Sequence, residues 1–105
     1  MNNKLTGIPE TLLIALWARA AATQESEPMI RDDKAVEMVS RIDQDFSRFE
    51  ASNRFTRLGV AVRTLLLDNG LSALLKSHPD AIVVVFGAGL DTRHTRMSCR
   101  NTDWY

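Results

Sequence analysis

Residues 81–86, Ala-Ile-Val-Val-Val-Phe, run without a polar side chain straight into Gly87-Ala88-Gly89. A continuous apolar, mostly β-branched run is how a strand buried on both faces of a parallel sheet reads. A strand that opens into Gly-x-Gly is half of the nucleotide-binding fingerprint, in which one glycine permits the tight turn and the next lets a ligand approach bare backbone. The third position of Gly-x-Gly-x-x-Gly holds Thr92. That glycine serves close packing beneath a pyrophosphate, so a dinucleotide is disfavoured, whereas an adenosyl cofactor without a pyrophosphate makes no such demand. The acid expected for ribose hydroxyls, roughly 20 residues beyond the first glycine, would fall just past Tyr105. On the turn alone two readings stand: a cofactor cradle, or a plain strand-to-helix turn in another α/β protein.

Other candidates for chemistry are few. His78 precedes Pro79 at a helix end, where it can meet the dipole and terminal carbonyls, and His94 stands in a polar segment with no partner pattern. The sequence holds no HExxH, no paired cysteines and no spaced histidine cluster, so no metal site is predicted. Cys99 has no neighbouring base and reads as an incidental thiol rather than a nucleophile. Asp43 and Asp45, two apart, face different sides of a helix and do not form a carboxylate dyad.

The elements that must position the turn are mostly helical. Leu12, Leu13, Leu16, Trp17 and Ala20 recur at helical spacing after Pro9, which predicts an amphipathic helix over residues 9–23. Residues 24–31 are polar and hold Pro28, so the chain turns there. Asp32 or Asp33 can cap a short helix whose apolar face is Ala35, Val36, Val39 and Ile42. Residues 43–53 give no firm assignment, although Phe46 and Phe49 could cover one turn. Phe55, Leu58, Val62, Leu65 and Leu66 restore a helix, which Asn69-Gly70 is expected to interrupt before Leu71, Leu74 and Leu75 resume it and Pro79 stops it. Beyond the glycines, residues 90–96 predict a short helical turn capped by Asp91 or Thr92, and residues 102–105 the opening of a second strand.

Composition sets the outer bounds. At 105 residues, 45% hydrophobic and 25% charged, the chain is one ordinary domain at most. Thirteen Lys and Arg balance thirteen Asp and Glu, so no positive field gathers phosphates, which argues against nucleic-acid and anionic-membrane partners. A single cysteine excludes an internal disulfide framework and makes the cytoplasm the expected compartment. The most apolar stretch, residues 11–22, is cut by Arg19 and falls short of the roughly 20 residues that span a bilayer.

Three stretches then carry a resemblance: Leu5-Thr6-Gly7-Ile8-Pro9-Glu10-Thr11-Leu12-Leu13-Ile14, Gly59-Val60-Ala61-Val62-Arg63-Thr64, and Val84-Val85-Phe86-Gly87-Ala88-Gly89-Leu90-Asp91-Thr92-Arg93. In that order they resemble the leucine carboxyl methyltransferase family, in particular its bacterial branch of polyketide-type O-methyltransferases. The resemblance covers essentially the whole chain but only the family's N-terminal part. It implies an α/β fold in which a helical N-terminal cap, residues 1–80, precedes the first strand, glycine turn and start of the second strand of a class I, Rossmann-like methyltransferase sheet, residues 81–105. It implies S-adenosylmethionine as cofactor and a small molecule or a carboxylate as methyl acceptor. It further implies that Arg63 binds the cofactor's methionine carboxylate, with the Gly87-Ala88-Gly89 backbone lying against the cofactor. A guanidinium fork suits that carboxylate, although a surface arginine paired with Asp68 or solvent is the commoner fate. Asp91 either caps the turn or orients it toward the cofactor's amino group. No role is assigned to Arg93.

Each strand-helix-strand unit takes 30 or more residues, so 105 residues do not hold the ribose acid, the adenine pocket and the acceptor pocket as well. The expectation is a truncated member of the family, inactive alone, that binds S-adenosylmethionine weakly if at all and that is marginally stable, self-associates through an exposed strand edge, or needs the missing half. Two other classes stand beside it. One is a non-enzymatic helical interaction module that keeps the cap. The other, a dehydrogenase-type nucleotide protein, is disfavoured by the long helical lead and the missing third glycine.

Overall fold

The computed structural model describes residues 9–50, 54–97 and 102–105. Its first helix, α1, runs Glu10–Thr23, with extended Pro9 at the N-cap accepting the Leu12 N–H at 3.1 Å. Its apolar side is so continuous that Leu13, Leu16, Trp17, Ala18, Ala20 and Ala22 are all buried, together with Arg19. Helix α2, Asp33–Arg41, begins at Asp32, whose carboxylate accepts the Ala35 N–H at 3.0 Å. Its predicted face packs as the spacing requires: Ala35 is buried against Leu16 and Ala20, with Val36, Val39 and Ile42 around them. The short α3, Ser47–Glu50, places Phe49 between Phe46 and Trp17, with ring centroids 6.0 and 6.1 Å apart.

Helix α4, Arg54–Ser77, is 24 residues long and continuous. Asn69-Gly70 does not interrupt it. A glycine in a helix costs about 1 kcal/mol, less than the combined preference of the leucine-rich sequence on either side. His78 ends the helix: its N–H reaches the Leu74 carbonyl at 2.9 Å, and its Nδ1 lies 3.2 Å from the same oxygen, before Pro79 turns the chain. Ala61 anchors α4 against Ala22 of α1 and Ile30. The opposite side stays apolar but open, with Leu58, Val62, Leu66, Leu67 and Leu74 exposed. Among the described residues, α4 is the helix long and apolar enough to cross a bilayer.

Strands β1, Ile82–Val83, and β2, Asp103–Trp104, pair in parallel, with Ile82 opposite Asp103 and Val83 opposite Trp104. Tyr105 extends the ladder, donating to the Val83 carbonyl and accepting from Val85, both at 2.8 Å. The second strand is where it was expected, but residues 81–86 are not buried on both faces. Ile82, Val84 and Phe86 are exposed, Phe86 at 93%, while Val83 and Val85 are half-covered. The apolar run supplies the capacity for two-sided burial, and a layer on each face is what realises it. Here one face meets solvent. After the glycine turn, α5, Arg93–Arg96, completes a mostly helical chain with a two-stranded parallel sheet.

Candidate cofactor site at the glycine turn

Gly87 and Gly89 both adopt left-handed backbone, with φ of +59° and +53°, a region L side chains enter only at a cost. Their neighbourhoods differ. A Cβ on Gly87 would point into open space, whereas one on Gly89 would meet Leu12 Cδ2 and Cδ1 at 3.1 and 3.2 Å. The second glycine therefore does the close packing, against α1, and the first leaves the backbone bare. The Asp91 N–H closes the turn on the Ala88 carbonyl at 2.8 Å.

Beside the turn lies a cavity of about 240 Å³, walled by Leu12, Ala15 and Arg19 of α1 and by Gly87, Ala88, Leu90 and Asp91. It combines exposed backbone at Gly87 with apolar wall from Leu12, Ala15 and Leu90 and charged residues Arg19 and Asp91 at its edge. Its volume is below the roughly 300–1,000 Å³ of pockets that enclose a whole ligand.

The turn is held by a charged network. Asp32, with no solvent exposure, takes three donors on Oδ2: Arg19 Nε at 3.0 Å, Thr92 Oγ1 at 2.6 Å and Arg96 Nη1 at 3.0 Å. Its Oδ1 caps α2, and its own N–H donates to Thr23 Oγ1 at 2.9 Å. Arg19 Nη2 reaches on to the Leu90 carbonyl at 2.8 Å. A second acid, Asp68 of α4, accepts from Arg93 Nε at 2.9 Å and from Arg96 Nε and Nη2 at 2.7 and 2.9 Å. Burial by itself would raise the Asp68 carboxyl, and the hydrogen bonds and charges of Arg96 and Arg93 overcome it, holding the group below its ordinary 3.8. Burial likewise works against the charge on Arg96, but Asp68 and then Asp32 raise its basicity further. Such charge-assisted pairs repay desolvation only when every polar atom is satisfied. Among the described residues no buried side-chain nitrogen or oxygen lacks a partner.

Gly87, Ala88 and Asp91 thus share one cavity, and Gly89 braces it. Arg63 lies elsewhere: it is exposed on α4 and lines an apolar groove with Leu58, Gly59, Val62, Leu66 and Leu67. It makes no ion pair or hydrogen bond with the described residues, and the Asp68 partner offered for it belongs to Arg93 and Arg96. Asp91 accepts from the Arg93 N–H at 3.4 Å, and its Oδ1 lies 3.6 Å from Arg93 Nη1 in an ion pair. The cap position of α5 is Thr92, whose hydroxyl turns to Asp32 instead of capping. His94 is not solitary, since its ring lies 6.3 Å from that of Trp104. Cys99 and residues 5–8 of the first motif fall outside the described residues. Sequence reasoning missed Arg19, Asp32 and Thr92 as parts of the site. The available signals were a charge inside the apolar stretch 11–22 and a threonine in place of the third glycine.

Comparison with known proteins fits this architecture. The leucine carboxyl methyltransferase profile matches residues 12–103, and the chain belongs to that family. It is 40% identical over 102 residues to the tetracenomycin polyketide synthesis O-methyltransferase TcmP of Streptomyces glaucescens, a match covering 96% of this chain and 37% of that protein. It is 39% identical over 101 residues to the S-adenosyl-L-methionine-dependent methyltransferase dpfgK of Gibberella zeae, covering 89% of this chain and 34% of that one. The chain therefore spans about a third of the length of the curated relatives it matches. No solved structure matches it.

Proposed function

We propose that this chain carries the N-terminal cap and part of the cofactor site of an S-adenosylmethionine-dependent O-methyltransferase, with residues 1–80 as the cap and residues 81–105 as the start of a class I, Rossmann-like sheet. The observation that carries the proposal is the left-handed Gly87-Ala88-Gly89 turn, open at Gly87 and closed on α1 at Gly89, in a chain matched by this family over residues 12–103. When bound, S-adenosylmethionine supplies a methyl group activated on a sulfonium. The chain's own contribution is to present the Gly87 and Ala88 backbone, to offer the Asp91 carboxylate to the ammonium, and to exclude water with Leu12 and Leu90. Arg63 is assigned the methionine carboxylate on the family pattern, supported by an exposed guanidinium with no partner among the described residues. The acceptor is a small molecule or a carboxylate, and transfer needs acceptor and sulfonium held in line at near-attack distance. We place the protein in the cytoplasm, with neither nucleic acid nor membrane as partner, and expect the exposed strand and α4 surfaces to associate with a second copy.

Titration calorimetry with S-adenosylhomocysteine and with NAD tests the proposal. Weak, saturable binding of the former, abolished in Gly87→Val, is the expected result. Preference for NAD would assign the turn to a dehydrogenase-type site. The exposed apolar face of α4 favours one second reading, a helical interaction module without catalysis. A chain that ignores both cofactors yet forms a stoichiometric complex with a full-length family member in sedimentation would establish it.

A further inference from the structure

We propose that Arg19 is a positioning residue that locks the cofactor turn to the helical cap, so that the conformation of the turn depends on α1 and α2. This deepens the methyltransferase reading of the site and rests on it. Arg19 sits on the buried side of α1 and is 9% exposed, yet it walls the cavity beside Gly87 and Ala88. Its planar fork makes two bonds in different directions. Nε donates to Asp32, which caps α2, and Nη2 donates to the carbonyl of Leu90, the residue directly after the glycine turn. The partners lie 13 and 71 residues away in sequence. Asp32 extends the lock by accepting the Thr92 hydroxyl, so the turn is gripped at Leu90 and again at Thr92 by one acid and one base. Between those two grips is Asp91, which lines the cavity and whose carboxylate pairs with Arg93.

The chemistry requires an arginine. Glycines at φ of +59° and +53° leave the turn free to sample many conformations, and an outside restraint must select one. A lysine keeps the charge, but its three N–H donors radiate from one nitrogen without the rigid fork, so it does not reproduce the two grips that Arg19 makes from separate nitrogens, Nε on Asp32 and Nη2 on the Leu90 carbonyl. The neighbouring buried cluster of Leu16, Ala20 and Ala35, with Leu90 against it, needs no charge for packing. A buried charge there is explained by what it holds.

The test uses the full chain with Arg19→Lys and Thr92→Val, read by residue-resolved amide exchange and by S-adenosylhomocysteine titration. Arg19→Lys is expected to accelerate exchange at the Asp91 amide selectively, leaving the α1–α4 interface at Ala61 and Leu65 protected, and to weaken binding about ten-fold, the order of one charged hydrogen bond. Thr92→Val, which keeps the Arg19 grip on Leu90, is expected to loosen the Thr95 amide bonded to the Thr92 carbonyl more than Asp91. Exchange that rises equally along the whole chain in Arg19→Lys would make Arg19 ordinary scaffold and overturn the proposal, as would unchanged exchange at Asp91. Failure of the unaltered chain to bind the probe would defeat the cofactor reading, while the exchange pattern would still decide whether Arg19 sets the turn.

Discussion

At the scale of single residues, the two glycines of the turn are not equivalent. Alanine at Gly87 meets open space and pays only for left-handed backbone, about 1 kcal/mol. Alanine at Gly89 pays that cost and also strikes Leu12 at 3.1 Å, so it should destabilise by about 2–3 kcal/mol. Urea unfolding of the two variants measures the difference, and equal costs would show that the turn does not pack on α1. Asp68 supplies a pH signature. Its carboxyl ionises below the ordinary 3.8 in the folded chain, so the unfolded chain takes up this proton first as pH falls. Its contribution is fully present above about pH 5 and is lost as pH drops through 3.8 toward the folded value. Asp68→Asn should cost about 1–2 kcal/mol at pH 7 and flatten the acid limb of the stability curve between pH 5 and 3. The Gly-x-Gly pattern was legible in residues 87–89 because it is a local backbone demand. Arg19, Asp32 and Thr92 were not, because hydrogen bonds spanning 13 to 71 residues leave no mark in local spacing.

At the scale of elements, the helices followed from periodicity and caps. Pro9 and Asp32 start α1 and α2, and His78-Pro79 ends α4. The expected break at Asn69-Gly70 did not occur, since one weak residue is a small debit against a 24-residue helix. Gly70 has nothing within 4 Å of a built Cβ and ordinary helical backbone. Gly70→Ala should therefore stabilise the chain by about 0.5–1 kcal/mol, mainly by restricting the unfolded chain. A rise in the thermal midpoint checks this, and a fall would mean that the helix does kink there. The strand reading was right in place and wrong in burial. Val83 and Val85 bond to Tyr105, but Ile82, Val84 and Phe86 face solvent. Residue type records what a strand can bury, and only its neighbours determine what it does bury.

At the scale of the whole molecule, Leu58, Val62, Leu66, Leu67 and Leu74 of α4, with Ile82, Val84 and Phe86 of the strand region, form an unusual amount of exposed apolar surface for 105 residues. Concentration-dependent sedimentation is the expected behaviour. Leu66→Glu with Leu67→Lys should suppress it without lowering monomer stability, because neither side chain is buried. Association unchanged by this pair would place the contact on the strand edge instead. By itself the sequence determined helices α1 and α2, the places of the two strands and the glycine turn, since each is dictated by propensity, capping or backbone freedom within a few residues. It also carried the family resemblance through three ordered motifs. Only the tertiary structure decided which glycine packs and which stays open, that Asp68 serves Arg93 and Arg96 rather than Arg63, and that Arg19 and Asp32 tie the cap to the turn. Those outcomes depend on distances between elements far apart in the chain, and such distances are fixed when the helices pack.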